Sequence, residues 1–368
     1  MSNWYEINNI DQVDSPALVI YADRVKENIK MLIGNIDNTD RLRPHIKTHK
    51  SLEVSRMMLD AGVKKFKCAT IAEAEMLAVA GATDVLLAYQ PVGPKAERLA
   101  ALKKKFPNVL WSCLIDNFDS AKAIAGIFST QGLRINVFID LNVGMNRTGI
   151  VPERAHDLFT ECQSLKGIDI VGLHAYDGHL RDTDLSLRTK KCDEGFARVV
   201  DLEKKIASKF GKQLIIVAGG TPTFSIHSKR KEIECSPGTF IYWDKGYEQI
   251  LQEQHYVHAA LVISRVISIP AEDIICTDLG HKAIASENPL QNRVSFLNAP
   301  ELEPIGHSEE HMVFKNPGTK KYSVGDVLYG VPYHVCPTIA LYENASIVEN
   351  GLVKNQWLTD ARKRKITI

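Results

Sequence analysis

From residue 40 to about 245 the chain alternates short apolar runs with longer segments whose apolar residues recur every three or four positions. The short runs predict strands at Leu42–Ile46, Lys65–Ala69, Val85–Tyr89, Val109–Ile115, Ile135–Leu141, Ile168–Tyr176, Leu214–Val217 and Ile233–Phe240. Segments such as SLEVSRMMLDAG, AEAEMLAVAG and PERAHDLFTECQSL predict the intervening helices, often with a glycine at the end. Eight strand–helix units within about 200 residues predict an α/β fold of the (β/α)8 TIM-barrel kind, with an open doubly wound sheet as the competing arrangement. After Tyr247 the texture changes to Val-, Ile- and Thr-rich runs split by Pro and Gly, as in HAALVISRVISIP and SVGDVLYGVP, and no helical spacing survives. The expected domains are therefore a barrel over residues 22–247 and a C-terminal β domain over 248–368, completed by residues 1–21 through the early run ALVIY.

Composition narrows the function classes. Across 368 residues, 45 Lys and Arg against 44 Asp and Glu give a formal net charge of +1, so no overall field recruits nucleic acid or an anionic membrane. The opening MSNWYEINNI has no apolar leader core, and no run approaches the roughly 18 apolar residues that a membrane span needs. A soluble cytoplasmic protein is expected, with no nucleic-acid or membrane partner. Seven cysteines without C-x-x-C spacing read mostly as small buried hydrophobes.

The unusual polar residues fall on one rim of the expected barrel. Lys47 in RPHIKTHK follows the first strand, Arg147 in NVGMNRTGI the fifth, and Tyr176 ends the sixth. Gly219, Gly220 and Thr221 follow the seventh strand, and Gly238 and Thr239 belong to the eighth. In barrels these last two loops commonly hold a phosphate, because Gly-rich turns offer unpaired backbone N–H groups. A phosphate seat opposite a lysine suggests pyridoxal 5′-phosphate, whose aldehyde condenses with a lysine amine. Lys47 is the candidate, with His45 as its alternation partner on the strand and His49 just beyond.

RPHIKTHK, CATIAEAEML, NVGMNRTGI, AYDGH, AGGTPT and HVCPT, in that order and spacing, resemble the D-threonine aldolase and D-serine dehydratase family. The resemblance runs from about Asp14 to Thr338 and implies pyridoxal-phosphate enzymes of the alanine-racemase-like fold, homodimeric, with an N-terminal barrel and a C-terminal β domain. It implies that Lys47 carries the cofactor, that Arg147 bonds its phenolic oxygen, that Tyr176 meets the ring nitrogen, and that the two Gly/Thr loops hold the phosphate. A tyrosine rather than a carboxylate at that nitrogen leaves the ring a weaker electron sink, which makes help from a metal useful.

His334 and Cys336 are two residues apart, so on an extended segment both side chains face one side, and imidazole with thiolate suits Zn2+. Within the resembled family such a pair implies the divalent-metal site that binds a substrate β-hydroxyl, with Mn2+ or Mg2+ as other occupants. His307 and His311, in GHSEEHM, are outside candidates as metal ligands, and a solvated turn is the better account of that stretch. A β-hydroxy D-amino acid is the implied substrate. The wording of NVGMNRTGI and GGTPTF leans to D-threonine aldolase, whereas Cys336 leans to D-serine or D-threonine dehydratase. The aldolase is the first reading, with His179 moving the hydroxyl proton or else steadying Tyr176. An amino-acid racemase, with Tyr333 or Tyr342 as second base, is a third reading. A cofactor carrier or a zinc hydrolase on the same barrel fits less well.

Overall fold

The computed structural model describes residues 3–318 and 320–368. The chain divides into two compact units, one of Leu32–Lys47, Leu52–Gly238 and Lys363–Ile368, the other of residues through Met31, Thr48–Ser51 and Thr239–Arg362. β1 (Ala17–Tyr21) belongs to the second. In the first, β2 (Lys65–Cys68), β3 (Asp84–Leu87), β4 (Leu110–Ile115), β5 (Ile135–Leu141), β6 (Ile168–Ala175), β7 (Ile215–Ala218) and β8 (Ile233–Cys235) form a curled parallel sheet in chain order. The helices between them begin and end where local chemistry requires. Ile71–Ala80 starts at Thr70, whose hydroxyl accepts from the Glu73 N–H, and stops at left-handed Gly81. Leu185–Phe210 starts at Asp184 and stops at Gly211, φ +64°.

The strand expected at Leu42–Ile46 is reduced to two single bridges, Leu42 with Cys235 on β8 and His45 with Lys67 on β2. Pro44 has no N–H to give a ladder, and the chain tightens into a 3-10 turn at Ile46–Thr48. The segment still closes the barrel. Arg43 N–H donates to Cys235 O, His45 N–H to Pro237 O, and Lys67 N–H to Pro44 O. The eighth strand likewise ends at Cys235 rather than Phe240, because Pro237 cannot extend it and Thr239–Ile241 coils into another 3-10 turn.

Arg43, 1 % exposed, locks this seam. Its guanidinium meets both oxygens of Asp84 at 2.6 and 3.0 Å and Glu234 at 2.7 Å. Burial alone would lower the guanidinium pKa, but the two carboxylates outweigh it and hold the charge firmly in place. Above the seam the interior is layered. Leu86, Leu114, Phe138 and Val217, from four strands, pack together, and Gly172 on β6 is small because a Cβ there would lie 2.4 Å from the Phe138 ring. Two residues beyond Phe138 and Gly172 on the same strand faces stand Asp140 and His174, so the next layer is polar.

The second unit is built on β9 (Ala260–Ala271), β10 (Ile274–Thr277), β11 (Val294–Phe296), β12 (Glu303–His307), β13 (Met312–Lys315), β14 (Val327–Pro332), β15 (Asn344–Glu349) and β16 (Leu352–Leu358). Their order is β12-β13-β10-β9-β1-β15-β16, with β14 pairing β9 and β11. β1 is antiparallel to β9 and parallel to β15. The run ALVI in β9 is apolar throughout because both faces are covered: Leu261 and Ile263 join one core with Val19, Tyr21 and Val331, while Val262 joins another with Ile275, Phe296 and Leu328. A short helix at Val335–Ile339 departs from the all-strand expectation for this region. Among the described residues no helix is long and apolar enough to cross a membrane.

Candidate active site

In the barrel unit the predicted rim residues converge on Tyr176. The Lys47 ammonium lies 5.7 Å and the Arg147 guanidinium 5.1 Å from its ring centroid, and Lys67, which motif reading passed over, lies at 5.5 Å. Among the described residues none of the three forms a carboxylate ion pair, although three cations around one ring repel one another. Such a group calls for an anionic ligand. His45 does not alternate with Lys47 as on a strand, because the chain turns at Ile46–Thr48 and His45 Nδ1 accepts the Lys47 N–H at 3.2 Å.

Tyr176 itself is tightly placed. A Cβ at Gly178 would stand 2.1 Å from its hydroxyl, and one at Gly220 would stand 2.8 Å from its ring. The two glycine loops are joined, since Gly238 N–H donates to Thr221 Oγ1 at 3.0 Å. Beside them the Ser236 hydroxyl, 3 % exposed, has no hydrogen-bond partner among the described residues. A buried hydroxyl left alone costs about 1–3 kcal/mol, and a phosphate oxygen would satisfy it. These residues fit pyridoxal phosphate: amine, cations, glycine loops and an unsatisfied donor are all present.

Behind Tyr176 the buried carboxylate of Asp177 accepts from Thr223 Oγ1 at 2.6 Å and His227 Nε2 at 2.9 Å, and Cys192 Sγ lies 3.6 Å away. Among the described residues these three donors, Asp177, Cys192 and His227, come within 4.8 Å of one another and could in principle hold a metal. Arg230, however, donates to His227 Nδ1 and stands 3.7 Å from Cys192 Sγ, which leaves the Nε2 proton committed to Asp177. Burial, with Asp177 beside it, pushes the Cys192 thiol up to about 12, which keeps it protonated while no cation is bound. The cluster therefore braces Tyr176 and the Thr221–Thr223 turn.

In the second unit, His334 and Cys336 are not on an extended segment. His334 is the N-cap of the Val335–Ile339 helix and Cys336 lies in its first turn, because Asp244 Oδ2 accepts the Val335 N–H and Pro337 suits a first turn. The side chains nonetheless approach: burial lowers the His334 pKa, but Cys336 and then Glu287 outweigh it and push it up to about 9. His334 Nδ1 donates to Glu287, so that Nε2, once it gives up its proton, is the nitrogen that would face a metal, the carboxylate–histidine arrangement common around Zn2+. Cys336 Sγ lies 3.1 Å from Thr48 Oγ1 and 3.8 Å from Thr239 Oγ1. The donor set fits a divalent cation.

A family model described as "Alanine racemase, N-terminal domain" matches residues 20–245. The chain belongs to this family. A second model, described as "Putative serine dehydratase domain", matches residues 259–348. The chain is similar to a D-threonine aldolase from Arthrobacter sp, 26 % identical over 365 residues, 95 % of this chain and 93 % of that one. It is also similar to a D-threo-3-hydroxyaspartate dehydratase from Delftia sp. (strain HT23), 27 % identical over 281 residues, 74 % of this chain and 69 % of that one. In fold it matches the crystal structure of D-threonine aldolase from Filomicrobium marinum, with TM-score 0.88 and 24 % identity over 97 % of this chain and 98 % of that one.

In this member of the alanine racemase N-terminal domain family, other polar residues have different places. His179 is exposed and stands against Gly144, where a Cβ would lie 2.8 Å from its Nε2. His307 is engaged at both nitrogens, by Arg293 at 2.6 Å and Leu279 O at 3.1 Å, while Lys282 pairs with Glu309 and Glu310 in an exposed turn. Tyr342 donates to Ala283 O at 2.6 Å, and burial raises its phenol pKa. His49 is buried and pushed down to about 3 by desolvation. Glu287 and Lys67 belong to no motif, and only their three-dimensional neighbours mark them.

Proposed function

We propose that the chain is a pyridoxal-phosphate- and divalent-metal-dependent lyase of β-hydroxy D-amino acids, cleaving D-threonine to glycine and acetaldehyde. The observation that carries it is the gathering of the Lys47 amine and the Arg147 guanidinium around Tyr176, with no carboxylate counter-ion among the described residues. Family membership and the aldolase and dehydratase relatives support the same class. When bound, pyridoxal phosphate supplies the electron withdrawal that makes bonds at a substrate Cα labile. A divalent metal supplies Lewis-acid polarisation of a hydroxyl.

The chain's own residues do the rest. Lys47 Nζ would hold the cofactor through its aldehyde. Arg147 donates to the phenolic oxygen and Tyr176 faces the ring nitrogen. Gly219, Gly220, Thr221, Gly238 and Thr239 seat the phosphate, with Ser236 as a further donor. His334 and Cys336 hold the metal, with Glu287 fixing the imidazole. His179, exposed at the rim, moves the hydroxyl proton. We read the protein as a cytoplasmic homodimer.

The second reading, a D-serine or D-threonine dehydratase, is favoured by the thiolate ligand Cys336. The racemase reading is weakened by Tyr342, whose hydroxyl is committed to Ala283 O. Product analysis on D-threonine, D-serine and their L-isomers, with Zn2+ or Mn2+ and then chelator, tests all three. Glycine and acetaldehyde lost on chelation support the aldolase. A 2-oxo acid with ammonia makes it a dehydratase, and chelator-insensitive interconversion of isomers makes it a racemase.

A further inference from the structure

The polar layer inside the barrel holds a side chain that the proposed reaction does not use. Lys67, 2 % exposed on β2, places its Nζ 3.3 Å from His174 Nε2 on β6. β2 and β6 are not neighbours in the sheet, so the lysine crosses the barrel interior. His174 Nδ1 donates to Asp140 Oδ1 at 2.7 Å on the adjacent β5, and Asp140 Oδ2 accepts from Gln90 Nε2 at 2.9 Å. Burial alone would raise the Asp140 pKa, but bonds from His174, Thr148 and Gln90 hold it below the usual carboxylate range. His174, lowered first by burial and then by the Lys67 charge, is neutral. With its proton on Nδ1, its Nε2 can only accept from Lys67. The histidine thus aims the lysine without neutralising it.

The charged groups facing Lys67 are Lys47 and Arg43, which oppose its charge, and Asp140 and Asp177, which favour it. The Tyr176 ring lies 5.5 Å away, with Arg147 over the same ring. Among the described residues no carboxylate is in ion-pair contact with it. Burial first, and then Lys47, bring its pKa down to about 7. A lysine so placed readily loses its proton while no anion is beside it, and an anionic ligand reverses that balance.

We propose that Lys67 is a further cofactor-binding residue, its ammonium donating to an anionic oxygen of the pyridoxal-type ligand at Lys47 and taking up a proton as that ligand binds. This rests on the cofactor reading above. Asp140, His174 and Gln90 are positioning residues that act through it.

The test uses pyridoxine 5′-phosphate, which has no aldehyde and cannot condense with Lys47. Calorimetry of the cofactor-free protein at pH 8, in two buffers of different ionisation enthalpy, reads the protons taken up on binding. Wild type is expected to take up close to one proton more than Lys67→Met, and its affinity to fall about tenfold per pH unit above Lys67's own pKa. Lys67→Arg, charged throughout, is expected to bind with a flat profile in that range. If Lys67→Met does not fold by circular dichroism, the wild-type measurement decides: proton uptake near zero at pH 8 overturns the proposal. Equal uptake and equal pH profiles in wild type and Lys67→Met overturn the role of Lys67 alone. No binding of pyridoxine 5′-phosphate by wild type overturns the cofactor reading as well.

Discussion

Arg43 and Lys67 are both buried cations of the barrel unit, one on the closing segment and one on the strand beside it, and their surroundings are opposite. Arg43 is met by Asp84 and Glu234 through three short hydrogen bonds, so its charge is spent on holding the seam. Lys67 is met by a neutral imidazole, and of the charges that face it, Lys47, Arg43, Asp140 and Asp177, no carboxylate among the described residues makes an ion-pair contact. Burying a charge is costly unless it is paired, so an unpaired one is kept only where something else uses it. The difference separates a cation that builds the fold from one that waits for a ligand, and neither burial nor residue type alone would have done so.

The largest effect is expected at Lys47, the third cation. Lys47→Ala should abolish the visible absorption that pyridoxal phosphate acquires on binding and lower turnover by at least about a thousandfold, read by spectrophotometry and product assay. Next, Arg43→Met should destabilise the protein by about 2–4 kcal/mol in urea unfolding, since half-buried Asp84 loses its partner and buried Glu234 keeps only Lys65. A loss below about 1 kcal/mol would show that the seam does not depend on it.

Lys67→Met should do the reverse in the cofactor-free protein. The folded pKa of about 7 lies below the unfolded value near 10.5, so between these values the unfolded chain binds more protons and wild-type stability rises with pH. The variant should therefore be more stable than wild type by up to a few kcal/mol below pH 7, and the gain should shrink as pH rises towards about 10. A gain that is independent of pH would remove Lys67 from the comparison. The smallest expected effect is at Glu287, whose change to Gln should weaken Zn2+ binding about 10–100-fold by metal titration without altering pyridoxal-phosphate binding.

Periodicity marked the strands β2 to β7 to within a residue or two, because buried parallel strands are continuous apolar runs and their helices carry a spaced apolar face. It misjudged Leu42–Ile46 and the end of β8, where prolines leave apolar residues in place but take away ladder donors. It also misjudged the His334 turn, whose helix depends on Asp244, ninety residues earlier, accepting one N–H. Lys47, Arg147, Tyr176 and the glycine loops were readable as motifs, and the barrel fold brings Lys47, Arg147 and Tyr176 together. Lys67 and Glu287 were not, since a single lysine in KFKC and a single glutamate in a loop look like many others.

What the sequence determined by itself is whatever depends on neighbours along the chain: strand and helix periods, caps such as Thr70 and Asp184, and the glycines that let Tyr176 be approached. What only the tertiary structure decided is which charges are paired. Arg43 finds Asp84 and Glu234 across 41 and 191 residues, while among the described residues the side-chain hydrogen-bond partner of Lys67 is His174, across 107. Electrostatic energy depends on distance in space and on the exclusion of water, and a linear sequence carries neither.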